Sequence, residues 1–549
     1  MKPLKLRIPH IAWKAVIKSE LIFLVFIAFN TIKLTGAQYI MTSTSGFPLW
    51  KMALRNVFFL YVVWRILFLS RSRIIPLLAY ILQIVFMSVL LLVFQYSGEI
   101  IVLSQLFTIK EGLTAISSLS TILFKPSNLI LIADLPLVIF ILKRYHRTRK
   151  GLFTFFLPII AIAGLGLYLL FAKLDYFSGA GTEWGVLGRQ AKFGTIFTSL
   201  VLSDTSNQKD AIKSIVYGPE ISIPEKKIKH NIITMQIESL TADILFQKYG
   251  DIPIMPYLSE LASENIYYPY LISQHKTGAS SDAEFSAFNG VEAIRGFPAC
   301  QFTLYNYPNS LIKRFPDKVD TFVFHANTGS YFNRNVNLPA MGFDSFFDLF
   351  KMGIKEKKWG GSDEDLFSFV IKTLEAEKNP YYYHIITLTS HGPFNFVYNV
   401  YSDKRFTSIA NREERDYFTS LAYVDKTLKA SITRIRKIDP SAYIILYGDH
   451  SIKLKGDYYK TNSYLFTGGE KFEFVPLIIV TPDGVHYQEK ENIASILDIS
   501  ATVLDASGYG GSIKSFGGSL LKPKKLPVTF PNDGKLYNRS EIFSLIESR

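Results

Sequence analysis

Four short apolar runs in the second half of the chain each stop on residues that bind metals or move protons. They are Asn231–Ile237 before Glu238, Asp320–Phe324 before His325, Tyr383–Ser390 before His391, and Ala442–Gly448 before Asp449 and His450. Short apolar runs bounded by turns read as buried strands, and open α/β sheets bind their ligands just beyond the carboxyl ends of parallel strands. Ends carrying Glu, His, His and Asp-His therefore predict one metal-assisted site on an α/β domain with a mainly parallel central sheet.

A chain of 549 residues exceeds what one core can bury, so at least two units are expected. Up to residue 172, apolar runs near bilayer-crossing length alternate with short basic loops. Five spans are expected, near residues 16–36, 53–70, 75–95, 127–142 and 152–172. The fourth is the weakest, being short and holding Asp134 and Pro136. A single cleaved signal peptide cannot account for the set. Lys2, Lys5, Arg7, Lys14 and Lys18 precede or open the first span, Arg71 and Arg73 separate the second and third, and Lys143, Arg144, Arg147, Arg149 and Lys150 separate the fourth and fifth. By the positive-inside rule these segments are cytoplasmic, which places everything after residue 172 extracellular or periplasmic, on the outer side of the cytoplasmic membrane.

Part of the net charge of +14 records this topology, and the rest, including Lys226, Lys227 and Lys229, suits an anionic lipid surface better than nucleic acid. A single cysteine, Cys300, excludes an intramolecular disulfide, CxxC zinc chemistry and haem attachment. There is no internal repeat, Walker loop or Rossmann glycine fingerprint, so a nucleotide-binding role has no support. The expected divisions are a transmembrane domain over 1–172, a membrane-proximal connector over 173–228, a catalytic domain over 229–521 in which strands and amphipathic stretches alternate, and a tail over 522–549 that reads as a surface appendage.

Ser281 and Glu284 have capping-box spacing, so a helix is expected to start in the segment His275-Lys-Thr-Gly-Ala-Ser280-Ser-Asp-Ala-Glu-Phe285. A hydroxyl at such a start faces unpaired N–H groups and the positive end of the helix dipole, which favour an alkoxide and an incoming phosphate. Ser280 is thus a candidate nucleophile, with Thr277 its rival. The alternative is that Ser280, Ser281 and Thr277 only cap and turn the chain. Glu238 alone reads equally as a solvated loop carboxylate, whereas adjacent Asp449 and His450 suit manganese, magnesium or zinc. Of nine histidines, His275, His325, His391 and His450 fall in site segments, while His384 lies inside a strand and reads as a core residue. Arg334, beyond His325 and next to Tyr331, Phe332 and Asn333, is either a bidentate phosphate clamp or a salt-bridge partner.

With these residues assembled, the chain resembles the lipoteichoic acid synthase type of phosphoglycerol transferase, in the alkaline phosphatase and sulfatase superfamily. The matching pieces are Gln236-Ile-Glu238-Ser239, Ser280-Ser-Asp-Ala-Glu-Phe285, Phe324-His325-Ala-Asn with Phe332-Asn333-Arg334, Trp359-Gly-Gly-Ser-Asp363, Thr389-Ser-His391-Gly-Pro-Phe394 and Gly448-Asp449-His450. The resemblance implies that Glu238, Ser280, Asp449 and His450 bind one Mn²⁺-like divalent ion, Mg²⁺ and Zn²⁺ being the other candidates, with Ser280 as nucleophile. It also implies that His325, Phe332, Arg334 and His391 hold a phosphoglycerol group; in the transfer mechanism expected here, His391 is the histidine that protonates the leaving oxygen. A phosphatidylglycerol-like lipid would be the donor and an envelope glycan or lipid the acceptor. Two positions depart from the family pattern: serine replaces the usual threonine at 280, and phenylalanine replaces the usual tryptophan at 332.

The rivals are phosphoethanolamine transfer, whose enzymes usually carry several disulfides, and a non-catalytic protein that binds envelope polymer. Sulfate-ester hydrolysis would need a Cys/Ser-x-Pro-x-Arg segment, which neither Cys300-Gln-Phe-Thr-Leu304 nor the chain at Ser280 supplies.

Overall fold

The computed structural model describes residues 13–42, 49–68, 74–97, 134–145 and 208–548, the last range without 277, 296, 303–304, 358–359, 468–469, 489–492 and 522–525. These fall in two compact units, one N-terminal and one that contains all described residues from 208 onward.

In the first unit, helices Trp13–Thr42, Leu49–Phe68 and Ile74–Ser97 cover the described parts of the first three expected spans. Helix Leu135–Tyr145 covers the described part of the fourth, and the fifth lies outside the described residues. Among the described residues one helix is long and apolar enough to cross a membrane, through its segment Glu20–Ala37. Asp134, which weakens the fourth span, is paired: Lys33 Nζ lies 2.8 Å from its Oδ1, and the Tyr80 hydroxyl donates to the same oxygen at 2.6 Å. Pairing of this kind is how an apolar bundle tolerates a carboxylate.

The second unit is built on a ten-stranded sheet. Its main strands are β1 (Ile232–Ile237), β2 (Ile266–Ile272), β3 (Asp320–His325), β4 (Ser345–Phe347), β5 (Tyr381–Ile386), β6 (Tyr443–Gly448) and β7 (Glu470–Val480). Across the sheet they lie in the order β2-β7-β6-β1-β5-β3-β4. From β6 to β4 all neighbours are parallel, as the apolar runs predict. β7 runs antiparallel to both β6 and β2, so the sheet is mixed. A hairpin with strand Tyr464–Thr467 feeds β7 and reverses it. That reversal brings the beginning of β7 to the same edge as the ends of β1, β2 and β6.

Every residue of β1 and β5 is buried. Successive side chains serve opposite faces: Ile232, Tyr382 and Ile445 join a core with helices Ser280–Asn289 and Asp498–Ser507, while Ile233, Tyr383 and Ile444 join one with helices Pro256–Glu264, Asp363–Ala376 and Arg412–Ile438. With both faces covered, these strands read as continuous apolar runs rather than alternating ones. The third run is shorter than expected, since β5 ends at Ile386 and residues 387–390 form a loop.

One expectation is corrected. The C-terminal segment is no surface appendage: strands Thr529–Asn532 and Lys535–Asn538 form a hairpin, and helix Arg539–Glu547 follows. Phe530 and Ile542 are buried with Ile272, Phe472 and Phe474, and the buried Arg539 guanidinium holds Asp498 through two bonds of 2.9 and 3.0 Å. Apolar residues too widely spaced for a strong local pattern are enough for this docking. Lys226 and Lys229 also have partners within this unit. Lys226 pairs with Asp505 at 2.7 Å, and Lys229 donates to the Gly508 carbonyl at 2.8 Å, so both serve the C-terminal end of helix Asp498–Ser507, where cations are favoured.

Arg539→Met would leave Asp498 buried without its cation, and we expect a loss of about 3–5 kcal/mol in unfolding free energy. Chemical denaturation of the purified chain measures it, and an unchanged midpoint would restore the appendage reading.

Candidate active site

β1 and β6 are parallel neighbours, with Ile237 opposite Gly448, so the residues that follow them emerge side by side. Gly448 makes the close approach possible: a Cβ there would lie 2.4 Å from the Leu240 carbonyl oxygen. Glu238 and Asp449 are both buried. Asp449 Oδ1 accepts the amides of Ser239 and His450, at 2.9 and 2.8 Å, while its buried Oδ2 lies 3.7 Å from His450 Nε2, and the Ser280 hydroxyl also acts on this carboxylate. His450 Nε2 lies 3.1 Å from Glu238 Oε1, which also accepts the Ser239 hydroxyl at 2.8 Å. The Ser280 hydroxyl donates to Glu238 Oε2 at 3.4 Å. The ligating atoms of Glu238, Asp449 and His450 lie within 4.8 Å of one another.

This arrangement fits a divalent cation. Burial and the neighbouring Glu238 charge push the Asp449 carboxyl up to about 7. For His450 burial opposes protonation, but Asp449 and Glu238 outweigh it and hold the imidazolium up to about 10. Burial would also raise Glu238, yet His391 and His450 keep it well below the usual carboxylate range. Two close buried carboxylates thus depend on a cation, and here a histidine proton supplies the charge. Two carboxylates, an imidazole and a hydroxyl form a hard donor set suited to manganese, magnesium or zinc.

Ser280 opens the helix Ser280–Asn289, as expected, but without a capping box. The Ser281 hydroxyl donates to the Gly278 carbonyl at 2.6 Å, and Glu284 turns to Arg334. Asp282 braces the start instead, accepting the amides of Gly278 at 2.7 Å and Ala299 at 2.9 Å. The Ser281 and Asp282 amides bond back to Gly278 and Ala279 carbonyls, so they are not the open donors that the spacing suggests. Thr277, the rival nucleophile, lies outside the described residues.

The second group of residues stands around this centre. Glu238 acts electrostatically on His325, Arg334 and His391. His325, at the end of β3, is buried and donates through Nδ1 to the Ile386 carbonyl at 3.0 Å. Burial, reinforced by the Arg334 charge, keeps it neutral. His391 donates through Nδ1 to the Gly392 carbonyl at 2.7 Å, and burial lowers its pKa despite Glu238. Its loop is held by Asp363, whose carboxylate accepts the amides of Leu388 at 2.7 Å and Thr389 at 3.1 Å. His384 is a core residue bonded to Thr234 at 2.7 Å, as its strand position suggests.

Both readings of Arg334 apply at once. Its Nε and Nη2 bond the Glu284 carboxylate, the latter at 2.5 Å, whereas its buried Nη1 has no partner among the described residues. The Phe332 ring lies 5.2 Å from the guanidinium carbon, within cation–π range. Glu284 was disguised by the capping-box pattern, and no local signal reveals its tie to a residue fifty positions later. Backbone strain clusters at the same edge: Ser239, Ala279, Phe332, Asn333 and Phe394 have φ of 56°, 51°, 56°, 50° and 66°. Non-glycine residues rarely hold such values unless their surroundings impose them.

The sulfatase family model matches residues 230–509. The chain belongs to the sulfatase family. Within the family it is similar to a lipoteichoic acid synthase-like protein of Bacillus subtilis, 25% identical over 57% of this chain and 53% of that protein. It is also similar to lipoteichoic acid synthase 2 of the same organism, 26% identical over 55% of this chain and 48% of that one. The chain spans about half the length of the curated relatives it matches. Among solved structures, the integral membrane lipooligosaccharide phosphoethanolamine transferase A of Neisseria meningitidis shares the fold, with a TM-score of 0.59, covering 90% of this chain and 96% of that one at 14% identity.

Sulfatase-family enzymes use a divalent ion, and binding one through His450 and Asp449 would displace the proton on His450 and any on Asp449. Since those protons are held most firmly at low pH, affinity for Mn²⁺ should rise with pH, roughly tenfold per unit for each proton displaced. Calorimetric titrations between about pH 6 and 8.5 test this; a flat profile would remove His450 as a ligand.

Proposed function

We propose that the chain is a membrane-anchored phosphoglycerol transferase that moves the head group of a phosphatidylglycerol-like lipid to an envelope glycan or lipid through a covalent serine intermediate. The observation that carries this reading is the convergence of the Ser280 hydroxyl with Glu238, Asp449 and His450, flanked by His325, His391 and the partly uncommitted Arg334 guanidinium. Similarity to lipoteichoic acid synthases supports the phosphoglycerol group over phosphoethanolamine. The single cysteine points the same way.

Glu238, Ser280, Asp449 and His450 would hold one divalent ion, manganese in our reading. Bound there, the ion lowers the pKa of the serine hydroxyl and offsets charge on the phosphoryl oxygens. Ser280 Oγ attacks phosphorus, the bond from phosphorus to the diacylglycerol oxygen breaks, and a phosphoglycerol ester of serine remains. The Ser280 proton ends on the departing diacylglycerol oxygen. In the second step an acceptor hydroxyl attacks phosphorus, its proton returns to Ser280 Oγ, and the serine ester breaks.

His391 donates through Nδ1 and burial disfavours its charged form, so its Nε2 suits receiving a proton and passing it to the leaving oxygen. Arg334 Nη1 and His325 would take the phosphoryl oxygens and the glycerol hydroxyls, with Phe332 closing the pocket beside the guanidinium. Five spans over 16–36, 53–70, 75–95, 127–142 and 152–172, with a cytoplasmic N-terminus, would put this site outside the cytoplasmic membrane, next to its lipid donor.

Ser280→Ala in membranes supplied with labelled phosphatidylglycerol is expected to lower diacylglycerol release by on the order of 10³-fold or more. Mass spectrometry of the wild-type chain should find a phosphoglycerol adduct at Ser280. Retained release would remove Ser280 as nucleophile, a phosphoethanolamine adduct would change the donor, and an inert wild type that binds no Mn²⁺ would favour a non-catalytic polymer-binding protein.

A further inference from the structure

β7 opens with charged residues, Glu470, Lys471 and Glu473, before its apolar run begins. Its reversal places them at the edge where β6 delivers Asp449 and His450. Glu473 is buried, and both of its oxygens are engaged. Oε1 accepts the Ser451 amide at 2.6 Å, and Lys471 Nζ lies 2.8 Å from Oε2. His275 Nδ1 lies 3.3 Å from the same carboxylate.

These contacts bear on His450 from two sides. His450 Nδ1 bonds the carbonyl of Ser451, whose amide Glu473 holds. The His275 ring stacks on the His450 ring, with centroids 4.6 Å apart and planes inclined by 25°. The bracing continues one residue on. Lys276 is buried against Asn532 at 3.0 Å and Asp533 at 2.9 Å in the C-terminal hairpin, and Asn532 also donates to the Lys471 carbonyl at 3.2 Å. His275 and Lys276 are thus clamped in succession just before the turn that carries Ser280.

His275, His450 and Glu473 are also close enough together to suggest a second cation site. The cation at this carboxylate, however, is the Lys471 ammonium, and the remaining oxygen is taken by a backbone amide.

We propose that Glu473 and His275 are positioning residues for the Glu238–Asp449–His450 centre, fixing the orientation of His450 and hence the affinity of the centre for its ion. The inference rests on the single-ion reading above. Groups that orient a metal-binding histidine typically change affinity by about 10–100-fold when altered.

The test is calorimetric titration of Mn²⁺ into the purified full-length chain, stripped by chelator, for wild type, Glu473→Gln and His275→Phe. Glutamine keeps the size of Glu473 but weakens its hold on His275 and Lys471. Phenylalanine keeps a ring on His450 but removes the bond to Glu473, and it serves if the first variant fails to fold. The expected result is one ion on the wild type, about 10–100-fold weaker binding in Glu473→Gln, and a smaller loss in His275→Phe. At saturating Mn²⁺ the KM for phosphatidylglycerol should stay unchanged and most of kcat should return, which a general packing defect would not allow. Wild-type affinity in both variants would overturn the inference and leave the single-ion reading intact. Two ions on the wild type, one of them lost in the variants, would overturn it in favour of a second cation site. A wild type that binds no Mn²⁺ would overturn the single-ion reading and the inference with it.

Discussion

Glu238 and Asp449 leave adjacent parallel strands side by side, buried, and their like charges repel in a medium that screens poorly. The rest of this sheet edge answers to that constraint. A protonated His450 bridges toward both carboxylates, the amides of Ser239 and His450 converge on one Asp449 oxygen, and the other faces the His450 ring at 3.7 Å. An ordinary hydrophobic edge would relax such a pair by turning one carboxylate to solvent. Here Gly448 lets the turn after β1 pack closely on the end of β6, and a left-handed Ser239 turns the chain immediately after Glu238, so neither carboxylate escapes. The strain is local, and the two-sided core beneath it is what sustains it.

Much of this was legible in the sequence because parallel strands buried on both faces are apolar from end to end. Where the apolar run stops, the first polar residue marks the functional edge, and Glu238, His325 and Asp449 were each located that way. His391 was located less directly, since β5 ends five residues before it and Asp363 holds the intervening loop. What stayed hidden depends on strand direction and on distant pairing. Glu473 sits at the beginning of a strand, and only the antiparallel course of β7 brings that beginning to the functional edge. Glu284 obeys a local capping pattern, but the buried Arg334 guanidinium draws it away, because an ion pair in the core outweighs one more amide bond at a helix start. The partners of Lys226 and Lys229, Asp505 and the Gly508 carbonyl, were hidden for the same reason, being almost three hundred residues away.

The Glu284–Arg334 pair also bears on how a phosphate would be recognised. A guanidinium fully committed to one carboxylate would add little attraction for an anion, yet an unpaired one would be costly to bury. Here two nitrogens of Arg334 are bonded to Glu284 and the third is left without a partner among the described residues. The carboxylate lies on the same helix that Ser280 opens, one turn further on. Arg334 is therefore registered to the serine through a rigid helix rather than through its own loop. What it would offer an anion is chiefly direction: a donor held at a fixed distance along the helix that opens with the Ser280 hydroxyl. Recognition by direction would tolerate serine in place of threonine at 280, since the hydroxyl is kept. It would be more exposed to the exchange at 332, where the ring lies beside the guanidinium.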